Sequence, residues 1–139
     1  MRIDGWRRWL PGVAVVLILT GCAGTTAGTA VAVTDIASVA GKWTGLLEMA
    51  GSQDREDFVD LTVDGSGFYR AVAARTIGAM DAQGKVHVTR DGKMLFQGDR
   101  GSQATATLYT QASQPQRTLL MEGTTPSGRR FRARLHQQP

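Results

Sequence analysis

Residues 85–98 read KVHVTRDGKMLFQG. Val86, Val88, Met94 and Phe96 fall on alternate positions to either side of Asp91-Gly92. Alternation at period two marks a strand with one buried face. Asp-Gly is the dipeptide of a two-residue type I′ hairpin, whose central residues both need positive φ. The same alternation returns at 42–49, 57–63, 103–110, 117–123 and 129–136, less cleanly at 68–75, and weakly at 76–80. Turn-forming runs separate these segments: Asp64-Gly65-Ser66-Gly67, Gln83-Gly84, Gly98-Asp99-Arg100-Gly101 and Thr125-Pro126-Ser127-Gly128. Beyond Gly41 no stretch holds a 3.6-residue apolar period over three turns. Eight or nine short strands in about 95 residues predict an all-β domain over 35–139, a small antiparallel up-and-down β-barrel of about eight strands.

The alternation also assigns faces. Trp43, Leu47 and Met49 share one side, as do Val59 and Leu61, then Met94 and Phe96, then Leu119 and Met121, then Phe131, Ala133 and Leu135. Trp43, Leu47, Met49, Val59, Leu61, Met94, Phe96 and Phe131 are the candidate core and ligand-facing residues. Ala71, Ala73, Ala104 and Ala106 either leave space inside the barrel or permit tight packing. Before the first strand, Asp35 is placed to cap a helical turn over 36–40, with Gly41 as its stop.

The N-terminus has a different character. Arg2, Arg7 and Arg8 precede an apolar stretch whose core, Val13 to Leu19, is too short to span a bilayer, which needs about 20 apolar residues. Leu19-Thr20-Gly21-Cys22 follows at once. This resembles the lipobox of bacterial lipoproteins and implies a signal peptide over 1–21, cleaved before Cys22. The resemblance implies covalent lipid, palmitate among the acyl chains, on the sulfur and amine of Cys22, and no other cofactor. Residue 23 is Ala rather than the Asp that typically retains such lipoproteins at the inner membrane, so the resemblance implies the periplasmic face of the outer membrane, or the outer face of the plasma membrane in a host without one. Uncharged residues 22–34 read as a flexible tether.

Gly41-Lys42-Trp43, after a helical turn and at the head of a first strand, resembles the Gly-x-Trp motif of the lipocalins and wider calycin group. The resemblance implies that Trp43 plugs the closed end of the barrel and that an Arg of the last strand, Arg132 or Arg134, packs across it. Thr44 stands where those families place an aromatic, and no Thr-Asp-Tyr motif follows. The domain is nearer the size of avidin or fatty-acid-binding proteins. The chain contains no Asn, so one polar residue expected of a biotin site is missing.

Charge and the chemistry-bearing residues narrow the function classes. The chain of 139 residues carries 16 Lys or Arg against 12 Asp or Glu, a net +4. Cleavage before Cys22 removes three Arg and one Asp and leaves +2, which withdraws support from nucleic-acid binding. One Cys and two His are too few for a structural zinc site. His87, between Val86 and Val88, and the near-terminal His136 read as surface side chains, so no metal ligands are assigned. No Gly-x-Ser-x-Gly elbow is present, no phosphate loop is met at 78–85, and no catalytic residues are assigned. Asp54, Glu56, Asp57, Asp60 and Asp64 read as a solvated hairpin, with weak calcium binding as the alternative. Arg130, Arg132 and Arg134 alternate with Phe131, Ala133 and Leu135, and so form a row at about 7 Å spacing on the outer face. Such a row suits anionic lipid or an acidic partner, or simply solvates the surface. Three functions follow: a non-catalytic binding module for a small apolar ligand or an envelope component, an assembly factor acting through its basic surface, or an enzyme of unassigned class.

Overall fold

The computed structural model describes residues 28–51, 56–74 and 80–139. The expected signal peptide over 1–21, Cys22, Asp54 and most of segment 76–80 lie outside them. The strands are β1 (Thr29–Val31), β2 (Gly41–Met49), β3 (Glu56–Val63), β4 (Phe68–Ala74), β5 (Met80–Val88), β6 (Met94–Gly98), β7 (Gln103–Gln111), β8 (Gln114–Thr124) and β9 (Arg130–Gln137), with a 3-10 turn at Ile36–Val39. Strands β2 to β9 pair antiparallel with their neighbours in sequence, and β9 pairs back onto β2, so eight strands close into an up-and-down barrel. The predicted fold class is the observed one.

The meander defines two ends. The turns at 64–67, 89–93 and 112–113 share one end with the 3-10 turn, and the turns at 99–102 and 125–129 share the other. Local chemistry explains several of these turns. Asp64 Oδ1 accepts from the Ser66 amide at 2.8 Å and the Phe68 amide at 2.9 Å, so this carboxylate organises its own turn. The Ser66 hydroxyl and those amides hold the Asp64 carboxyl below its usual value. Asp35 caps the 3-10 turn through the Ala37 amide at 3.1 Å, as its position predicts.

Two expectations need correction. Residues 28–34 are not free tether. Thr29–Val31 pairs with Leu108–Thr110, the part of β7 that runs past the end of β6, and Val33 is buried. An unpaired ladder on β7 is a hydrogen-bonding liability, and β1 satisfies it. Gln83-Gly84 is not a turn but lies inside β5. Gly84 is buried opposite Tyr69 and Gly98, and a Cβ there would overlap the Gln97 carbonyl oxygen. The glycine permits a close backbone approach within the strand, which alternation alone cannot distinguish from a chain reversal.

Gly45 plays the same part where the barrel closes. It pairs with Leu135 of β9, and an added Cβ would meet the Arg134 carbonyl oxygen. Gly45→Ala should therefore destabilise the chain by about 3 kcal/mol, the upper end of overpacking costs. Gly65→Ala, with open space around its Cβ, should stay within about 0.5 kcal/mol. Urea titration of both variants checks the contrast.

Candidate functional site

The barrel interior divides by residue size. Towards the end that carries the 3-10 turn, Val39, Trp43, Met94, Ala106 and Leu119 are fully buried and fill the space. Towards the other end the inward positions include Ala71, Ala73, Ala82, Ala104 and Ala133, and these methyl groups cannot reach across the barrel. A cavity of about 360 Å³ results. Its apolar walls include Leu47, Val59, Leu61, Phe96, Met121 and Leu135, and Phe131, Thr125 and Pro126 stand at its mouth. Ligand sites of this kind begin at about 300 Å³.

Of the eight residues singled out from the sequence, Leu47, Val59, Leu61, Phe96 and Phe131 line this cavity. Trp43 and Met94 are core of the filled half, and Met49, although buried, is not part of the lining. Among the small residues, Ala71, Ala73 and Ala104 border the space, whereas Ala106 packs in the filled half.

Sequence reasoning missed Tyr69 and Ser102, two of the polar residues that line the cavity. Tyr69 is 4% exposed and packs edge-on against Phe96, with ring centroids 5.1 Å apart. Burial raises its phenol above the usual tyrosine value, the Ser102 hydroxyl opposes this by hydrogen bonding to it, and the negative charge of Asp99 adds to the rise. Asp99 is held in turn by the Gln83 amide at 3.2 Å. The irregular alternation of 68–75 hid Tyr69. In the structure Tyr69, Ala71 and Ala73 share the inward face, with Arg70 and Val72 outside.

Trp43 seals the filled end. Its indole Nε1 donates to the Val39 carbonyl at 3.0 Å, and the Arg117 guanidinium lies 5.6 Å from the ring centroid while donating to the Ser38 carbonyl at 2.7 Å. The Arg across the Trp is thus from β8, not Arg132 or Arg134 of β9. Parity explains the correction: Arg117 shares the inward register of Leu119 and Met121, whereas Arg132 and Arg134 point away from the core.

The outer Arg row is placed as alternation predicts, with Arg130, Arg132 and Arg134 all exposed. Arg132 forms an ion pair with Glu122 at 3.0 Å and also stands in register with Glu48. The centre of the row is therefore flanked by acids. Of the described carboxylates at 57–64, Asp60 is exposed, Asp64 caps its turn, and Asp57 points inward at 3% exposure, so they do not form one solvated cluster. His87 is exposed, and His136 is half-buried with Nδ1 3.1 Å from the Thr118 hydroxyl. Among the described residues no three His, Cys, Asp or Glu converge as a metal site.

Removing the indole strips the seal from the filled end. Trp43→Ala should cost about 3 to 5 kcal/mol in chemical denaturation, whereas Arg134→Ala on the outer wall should cost less than about 0.5 kcal/mol. In comparisons with known proteins, no family model, curated protein or solved structure matches this chain.

Proposed function

We propose that the protein is a lipid-anchored envelope carrier that holds a small, mainly apolar ligand inside its barrel. The observation that carries this reading is the cavity of about 360 Å³, walled by aliphatic and aromatic side chains and open at one end. A barrel acting only through its outer surface has no use for an unfilled interior, because voids forgo dispersion contacts and cost stability. The barrel retains five inward alanines where larger side chains would fill the space. A non-catalytic role is consistent with this lining, in which apolar groups predominate.

The anchor belongs to the same proposal. Leu19-Thr20-Gly21-Cys22 supplies the acylation site, and two or three acyl chains hold a protein at a bilayer essentially permanently. The periplasmic face of the outer membrane is the location that Ala23 favours. The assembly-factor alternative, with Arg130, Arg132 and Arg134 on anionic lipid or an acidic protein, ranks second. Glu122 and Glu48 beside Arg132 reduce the charge that such a partner would meet.

Two measurements test the proposal. Ala71→Phe places a ring in the cavity, so naphthalene binding, read by fluorescence anisotropy, should weaken about tenfold or more as the available contact volume is lost. Equal binding by both proteins would reject the carrier. Cys22→Ser should abolish incorporation of radiolabelled palmitate, and undiminished labelling would remove the anchor.

A further inference from the structure

The polar groups of the cavity are confined to one side, and this restricts what it can hold. Tyr69 and Ser102 hydrogen-bond to one another within the lining. Two hydroxyls carry two protons, and their mutual bond uses one. The second proton can be donated to an acceptor on a ligand. Below this pair the walls are hydrocarbon, and a ligand that fills the volume at roughly 30 Å³ per non-hydrogen atom has about a dozen such atoms.

The rim decides the charge. Asp99 follows Gly98, whose backbone lies against both the Tyr69 and the Ser102 hydroxyl: a Cβ on Gly98 would stand 3.1 Å from the phenol oxygen. A carboxylate therefore sits one residue from the hydroxyl pair and is fixed there by Gln83. An anionic headgroup at Tyr69 would lose water and meet like charge, and both effects oppose binding. Arg100, the next residue, also lines the open end and is exposed like Asp99, so the rim carries both signs and offers an anion no net attraction to offset the water it loses.

Resting on the carrier reading above, we infer that the ligand is a neutral amphiphile of about a dozen non-hydrogen atoms, such as a medium-chain alcohol or ketone. Its apolar body lies against Leu47, Val59, Leu61 and Phe96, and its single acceptor oxygen meets the Tyr69–Ser102 pair. The carboxylate of the same chain length is discriminated against.

The full chain in lipid nanodiscs, labelled with carbon-13 at its methionine methyl groups, reports on this directly. Met121 lines the cavity and fully buried Met94 does not, so a ligand in the barrel moves the first resonance and spares the second. The probes are decanol, decanoate and undecane, added at neutral pH and compared at equal aqueous concentration. Decanol should shift Met121 at a concentration about tenfold or more below that needed for decanoate. Tyr69→Phe should weaken decanol about fivefold, the usual net worth of one hydrogen bond, and leave undecane unchanged, with Met94 unmoved as evidence of an intact barrel. Ser102→Ala should act in the same direction. Decanoate binding as tightly as decanol, or decanol indifferent to both substitutions, would overturn the neutral-amphiphile assignment while leaving a carrier in place. If none of the three probes moves Met121, the carrier reading itself fails.

Discussion

The seam between β2 and β9 is the constraint on which the rest of the molecule depends. Seven paired residues, from Trp43 opposite Gln137 to Met49 opposite Phe131, convert an open meander into a cylinder. An open sheet of this composition would present two unpaired edges and expose one apolar face to water. Closure removes both liabilities at once, but requires the backbones to come together more closely than a side chain at Gly45 allows. The glycine weakens the strand as an isolated element, since it contributes no packing and loses most conformational freedom on folding. That local cost is offset by the burial that closure makes possible along both strands.

Within the cylinder, residue size partitions the space. Trp43, with Arg117 across its ring and Val39 beneath its N–H, gives one half a solid floor. The alanine-rich half remains open because nothing in that register is long enough to fill it. Stability and capacity are therefore assigned to different ends of the same strands. Truncations near Trp43 act mainly on folding, and enlargements near Ala71 act mainly on the void.

Much of this was legible in the sequence. Alternation around Asp91-Gly92 and its repeats identified the strand meander, because side-chain parity is a local property of extended backbone. It also placed Arg130, Arg132 and Arg134 outside and Leu47, Val59 and Phe96 inside. Three things escaped because they depend on contacts between distant segments. Gly84 resembles a turn residue until Gln97 is known to pass beside it. Thr29–Val31 has tether composition, and only the overhang of β7 makes a strand of it. Arg117 has the parity of the core, but its role over Trp43 depends on a helical turn 79 residues away in sequence, where its guanidinium donates to Ser38. The cavity was legible only as an ambiguity, since inward alanines are equally compatible with a hollow barrel and a narrow one.

The place where β1 joins the barrel has a vectorial consequence. Thr29 stands opposite Thr110, near the turn that links β7 to β8, so the chain enters at the sealed end and not beside the mouth. Five residues lie between Cys22 and Gly28, a leash of at most about 20 Å when fully extended. With Cys22 acylated, as proposed, the sealed end is held close to the bilayer and the aperture is directed towards the aqueous compartment. Cargo would then be exchanged through water, with a soluble donor or acceptor, instead of being drawn sideways out of the membrane that holds the protein.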